Sequence, residues 1–198
     1  MNIQNCLNMK VKTNKMAKKE TSIFNPTIVL LSNDNKSYLN GFYCGVDSLD
    51  RYVKENALND SENGNGVTYL VKDADLNTLV AYYTLSASSI PNYKQEVLSA
   101  ISIDMFAVSN EYQDTLFRKD GKDILISDFI LGGLIGEIYA MSNKVLGIKY
   151  ITLHALLDAV PFYERNCFIE VTEDILPNDS FTKGCKPMVF DLFSYGLC

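Results

Sequence analysis

Apolar and polar positions alternate along this chain in short blocks, with one long helical repeat past the middle. Thr27 to Leu31 is an apolar, β-branched run and predicts a first strand. Ser32 to Asn40 is polar and rich in Asn and Asp. Ser48 reads as the N-cap of a helix from Leu49 to Leu58, with Leu49, Tyr52, Val53 and Ala57 on one face. Asn59 to Gly66 reads as a loop by composition. Val67 to Val71 and Leu79 to Ser86 predict two antiparallel strands around a turn carrying Asp73, Asp75 and Asn77. Ser99 to Val108 is the next strand.

Ser127 to Leu146 predicts the longest helix. Its residues Ile130, Leu134, Ile138, Met141 and Val145 recur at helical spacing, and Gly147 closes it. Tyr150 to Ala155 follows as a strand, Ala159 to Arg165 as a short helix, then Phe168 to Val171 and Met188 to Leu192 as strands. This order predicts an α/β (α+β) fold: a mixed, mostly antiparallel sheet flanked by helices, with a right-handed crossover around the long helix.

The length of 198 residues fits one domain. Residues 1–20 carry Lys10, Lys12, Lys15, Lys18 and Lys19 against one acid, Glu20, and read as a basic, disordered tail; 21–198 is the domain, with order starting near Ile23. Outside the tail, 13 of the 18 basic and 23 of the 24 acidic residues remain, a body near -10 that disfavours nucleic acid. No apolar run approaches the roughly 18 residues needed to cross a bilayer, and no signal-peptide pattern is present. The cysteines Cys6, Cys44, Cys167, Cys185 and Cys198 are odd in number and far apart. They read as free thiols in a reducing cytoplasm. One histidine, His154, and no C-x-x-C pair argue against zinc or any other metal site. No G-x-S-x-G accompanies His154, which argues against a serine hydrolase.

Three segments carry a resemblance. The first is Phe42-Tyr-Cys-Gly-Val-Asp-Ser-Leu-Asp50 with Ala57 behind it. The second is Thr68-Tyr-Leu-Val71 followed by Ala81-Tyr-Tyr-Thr-Leu-Ser86. The third is Gly147-Ile148, Leu153-His-Ala-Leu156, Ala159, Phe162-Tyr163 and Phe168. In this order and spacing they resemble the GNAT superfamily of N-acetyltransferases, and within it the toxin-like branch. The likeness spans about residues 24 to 192. The sequence departs from the superfamily at the acetyl-CoA signature, Q/R-x-x-G-x-G/A. Gln113 is present, an extra segment Asp114 to Asp123 follows, and Leu125-Ile126-Ser127 stands where the glycines would lie. The terminal G-F is Cys167-Phe168.

The resemblance implies transfer of an acetyl group from acetyl-CoA to a primary amine of a small molecule or peptide. Two alternatives stay open: toxin-like acetylation of aminoacyl-tRNA, and a GNAT fold without turnover that serves as a binding module. It also implies that Asp104 to Val108 splays from Tyr150 to Ala155. The pantetheine would lie in that gap against Phe106, Ala107 and Val108, with a backbone N–H near Val108, freed by a bulge, facing the thioester oxygen. Gln113, Ile126, Ser127 and Asp128 would meet the diphosphate at the helix N-terminus. Asp128 would repel it unless Arg118, Lys119 and Lys122 compensate. Gly132, Gly133 and Gly136 read as permitting tight helix packing.

Tyr163 matches the family's general acid. Asp104, by parity with Phe106 and Val108, and Glu111 are candidates for general base. His154 reads as a hydrogen-bonded structural residue, and Cys44 and Cys167 as small packing residues. Tyr82 and Tyr83 with Ser86 could line the acceptor pocket, the tyrosines on opposite faces. Pairing into a homodimer is also implied.

Overall fold

The structure is a computed structural model that describes residues 20–21, 24–91, 94 and 96–194. The strands among the described residues are β1 (Glu20–Thr21), β2 (Pro26–Leu30), β3 (Val67–Asp73), β4 (Thr78–Pro91), β5 (Val97–Val108), β6 (Leu116–Lys119), β7 (Lys122–Leu125), β8 (Tyr150–Ala155), β9 (Ile169–Glu170) and β10 (Lys186–Asp191). The α-helices are α1 (Asp47–Glu55), α2 (Ala57–Asn63), α3 (Ile126–Lys144) and α4 (Val160–Arg165). Short 3-10 turns lie at Lys36–Gly41 and Leu157–Ala159. Seven strands form one sheet in the order β2-β3-β4-β5-β8-β10-β9. Its neighbours are antiparallel except β5 and β8, which run parallel. The fold class read from the sequence is thus observed.

Alternation sorts the strands onto two faces. Tyr83, Ile103, Val108, Ile151, Leu153, Met188 and Phe190 pack in one cluster with Ile130, Leu131, Leu134 and Ile138 of α3. Tyr82, Leu70, Met105 and Ala107 pack on the other side with Val53 of α1 and Ala57 of α2. Tyr82 and Tyr83 therefore point to opposite faces, as period 2 requires. Each fully buried aliphatic side chain in these layers contributes about 1.5–3 kcal/mol by leaving water.

Several local expectations are corrected. The helix predicted from Leu49 to Leu58 begins at Asp47, and Val46 is its cap, with no side-chain cap bond. Asp50 replaces the cap: its Oδ1 accepts the Cys44 N–H at 2.8 Å. The stretch read as a loop after Asn59 is largely helical, since α2 runs to Asn63 and closes on Gly64 at φ 74°. The long helix stops at Lys144 with Val145 as its cap, before Gly147. Gly132, Gly133 and Gly136 meet nothing within 4 Å, so tight packing does not account for them.

The inserted segment is a β-hairpin, β6–β7, and Glu20–Thr21 pairs with it in parallel. The strand therefore begins inside the stretch assigned to the tail; residues 1–19 lie outside the described residues. Asp120 and Gly121, at φ 51° and 78°, make the two-residue turn. Phe117 packs edge-on against Phe129 of α3 at 5.0 Å, which seats the hairpin on the helix's first turn.

The end of α4 is a Schellman closure. The Cys167 N–H bonds to Glu164 O and the Phe168 N–H to Tyr163 O, both at 3.0 Å. Cys167 sits at φ 67°, a left-handed conformation that suits glycine. The family's glycine at this position thus has a physical reason here. Replacing Cys167 with glycine should raise stability by about 1 kcal/mol, the cost of holding a side chain there. A thermal melt of Cys167→Gly checks this; a lower melting temperature would contradict the strain.

Candidate active site

The β5–β8 ladder contains three pairs only: Ala100 with Tyr150, Ile101 with Ile151 and Ser102 with Thr152. Beyond Ser102 the two parallel strands part, between residues 104–108 and 153–155. Because α3 connects them, it runs antiparallel to both, and its N-terminus lies at the open end. The Ser109 N–H bonds to Val80 O on β4 at 2.7 Å. Strand geometry then turns the N–H and C=O of Val108, and of Phe106, toward the opening. The Val108 carbonyl accepts from the Gln113 amide at 3.0 Å. The Val108 N–H thus faces the gap because β8 has departed. The bulge expected to free it lies instead at Asp104, where Thr84 pairs with Met105 and Leu85 with Ile103.

This bulge breaks the parity assumed for Asp104. Phe106 and Val108 belong to the α3 side. Asp104 is exposed, and its Oδ2 would lie 3.6 Å from a β-carbon placed on Gly66, beside Thr84 at the edge of the α1 side. Ala107 is buried among the α1-side residues. Glu111 is exposed beyond β5, on a cavity of about 490 Å³ that Tyr38 and Tyr112 also line.

Phe106 stacks on Phe162 of α4 with ring centres 5.7 Å apart, and Phe162 meets Tyr163 at 4.9 Å. Tyr163 is buried, and its hydroxyl has no hydrogen-bond partner among the described residues. Burial pushes its phenol above the ordinary range, so it keeps its proton at neutral pH. The Cys44 thiol is likewise pushed up by burial, to about 11, which fits packing and not nucleophilic chemistry.

At the helix N-terminus the candidates divide. Ile126 is fully buried and its N–H is donated to Thr115 O at 3.0 Å, so its backbone is already committed. Ser127, in the first turn of α3, is only 7% exposed. Asp128 does not stand as a bare negative charge. Arg165 reaches it at 3.0 Å and the Asn166 amide donates to it at 2.9 Å. The compensation expected from the hairpin thus comes first from α4.

Gln113 serves the scaffold. Its amide donates to Cys44 O at 2.7 Å as well as to Val108 O. With Asp50 on the Cys44 N–H and Lys54 on Phe42 O at 2.8 Å, it pins the Phe42-Tyr-Cys-Gly45 segment against the end of β5.

On the α1 side, polar positions cross the sheet between two apolar clusters. Thr84, Ser86 and Ser88 of β4 share this face with Tyr82, and Ser102 and Thr152 continue it across β5 and β8. The Thr68 and Thr84 hydroxyls bond at 2.7 Å, and Thr152 donates to Ser88 at 3.3 Å. The sequence analysis names Ser86; Ser88, Ser102 and Thr152 join it on this face by strand alternation and pairing. His154 lies on this face just past the last β5–β8 pair. It is not the hydrogen-bonded residue expected, since its Nε2 is buried without a partner.

Among the described residues no group of three or more His, Cys, Asp and Glu could hold a metal, and no helix is long and apolar enough to cross a membrane.

No protein-family model matches the chain. Solved structures do match its fold. A structure described as a bacterial toxin superposes with a TM-score of 0.68 at 18% identity, over 87% of this chain and 93% of that one. AtaT complexed with acetyl-methionyl-tRNAfMet gives 0.66 at 20% identity, over 87% and 98%. A tyrosine-to-phenylalanine mutant of the AtaT toxin, bound to the C-terminus of the antitoxin AtaR and acetyl-CoA, gives 0.66 at 19%, over 87% and 96%. Near-complete coverage of both chains, together with the parted strands, means that this chain has the fold of the toxin-like GNAT acetyltransferases that its sequence resembles.

Proposed function

We propose that this protein is an acetyl-CoA-dependent N-acetyltransferase whose acceptor is the amino group of an aminoacyl-tRNA. The observation that carries the transferase reading is the three-pair β5–β8 ladder with α3 pointing its N-terminus at the opening. The residues present fit a pantetheine arm and its diphosphate. Phe106 and Val108 offer backbone groups in the gap, and Ser127 offers a small hydroxyl side chain in the first turn of α3. When bound, acetyl-CoA supplies an activated acyl thioester. The Val108 N–H would polarise the carbonyl oxygen. Tyr163 would donate its phenolic proton to the departing sulfur. The strip Ser86, Ser88 and Ser102 would receive the acceptor, with Asp104 at its rim as the candidate that takes the amine proton.

The sequence favoured a small or peptide amine because the body is acidic. The likeness to AtaT holding acetyl-methionyl-tRNAfMet supports the tRNA acceptor instead, and the likeness to the AtaR complex supports an antitoxin partner. A thiol-release assay tests the reading. Release is expected with aminoacyl-tRNA and not with deacylated tRNA. Release with small amines alone would return the acceptor to the first class, and no release with any acceptor would favour a binding module.

A further inference from the structure

His154 is a side chain that acetyl transfer as described leaves unused. It lies on β8, and its Nε2 is buried with no hydrogen-bond partner among the described residues. A buried polar atom left unpaired costs stability, so it calls for a partner. The surroundings supply none. On β10, Pro187 stands opposite His154 and has no N–H to give. On β8 itself, the Thr152 hydroxyl is donated to Ser88. Asp179, in the loop before β10, lies within electrostatic reach of His154. Its Oδ1 is already held by the Phe181 and Thr182 N–H groups and the Thr182 hydroxyl.

The place of the residue narrows what the partner is. The β5–β8 ladder ends at Ser102–Thr152. His154 is two residues further and shares the face of Thr152, while Ile151, Leu153 and Ala155 pack on the α3 side. At about 3.3 Å per residue it stands roughly 7 Å past the last pair, where the strands have begun to part. It therefore lies between the strip Ser86, Ser88 and Ser102 and the open gap. The ring is part-exposed although Nε2 is covered. Histidine χ2 is a broad torsion, so a turn of the ring brings that nitrogen to the open edge.

We propose that His154 binds the acceptor, with Nε2 accepting a hydrogen bond from an N–H of its amino end. The contact rests on the transferase reading, in which the acceptor lies along the serine strip with that end toward the gap. A neutral imidazole with its proton on Nδ1 presents Nε2 as an acceptor. The amine brings the donor that the chain lacks. His154 positions the nitrogen and takes no part in bond making.

The test sets the wild type beside His154→Leu, which fills the site without an acceptor atom, and His154→Gln, whose amide oxygen can accept the same N–H. Thiol release is measured over a range of aminoacyl-tRNA concentrations, with calorimetry for coenzyme A and thermal melts. His154→Leu should melt at or above the wild-type temperature, because no internal hydrogen bond is lost. Its affinity for coenzyme A should be unchanged, while KM for aminoacyl-tRNA rises at least tenfold and kcat moves less. His154→Gln should recover most of that KM. A His154→Leu protein with the wild-type KM overturns the contact and leaves the transferase reading standing. One that melts early and loses coenzyme A as well makes His154 a structural residue and overturns the proposal. A His154→Gln protein that recovers nothing overturns the hydrogen bond. A wild type that binds coenzyme A but releases no thiol with aminoacyl-tRNA overturns the acceptor reading, and this contact with it.

Discussion

Tyr163→Phe should lower kcat for acetyl transfer by about 10²–10⁴-fold, the range a positioned proton donor contributes, while the protein stays folded. The substitution removes one oxygen from a side chain buried against Phe162 and Phe168. No described residue bonds that hydroxyl, so no structural hydrogen bond is lost, and the melting temperature should stay level or rise. The rate loss should appear in kcat and not in the affinity for coenzyme A, because a proton given to the sulfur stabilises the transition state only.

The pH profile supplies a second readout. Burial raises the phenol's pKa, so the acid form is full through neutral pH and is lost only as pH rises past the ordinary phenol value of about 10. Wild-type kcat should therefore show no alkaline fall below about pH 10 that Tyr163→Phe abolishes. A Tyr163→Phe enzyme with the wild-type rate would remove Tyr163 from the chemistry and leave it a packing residue.

The parts legible in the sequence were those set by periodicity. The Tyr82–Tyr83 alternation, the buried stripe Ile130, Leu134 and Ile138, and the strand Tyr150–Ala155 all follow from side-chain spacing, which one chain segment carries by itself. What was missed depends on pairing between segments. The bulge at Asp104 arises because β5 holds one residue more than β4 requires, and nothing local to Ile103-Asp-Met105 announces it. It moves Asp104 away from the face of Phe106, so parity alone failed there.

Gln113 was read by its place in a signature. Its actual partners, Cys44 O and Val108 O, include one sixty-nine residues away, beyond the reach of any local pattern. The hairpin is a different case. Asp120-Gly121 between Phe117 and Ile124 is a strong two-residue turn signal that composition and charge obscured. Cys167 shows the opposite lesson. The departure from glycine was visible in the sequence, and the left-handed backbone persists, held by the Tyr163 and Glu164 carbonyls.

Phe168→Ala should lower stability by about 3–5 kcal/mol, as deletion of a buried aromatic ring does. At about 2–4 °C per kcal/mol for a chain of this size, the melting temperature should fall by roughly 10 °C. Phe168 is 2% exposed and touches Phe190 at 5.3 Å and Tyr163 at 5.6 Å between ring centres. Its N–H also closes α4 on Tyr163 O. The ring is thus the apolar half of the closure that fixes where the Tyr163 phenol stands, and its loss should cost rate as well as stability. Phe168→Leu refills most of the volume, and its cost should be nearer 1 kcal/mol. Melts followed by circular dichroism and kcat measured well below both transitions separate the two effects. A Phe168→Ala protein that melts with the wild type would refute the packing. One that melts early but keeps wild-type kcat would show that this contact does not position Tyr163.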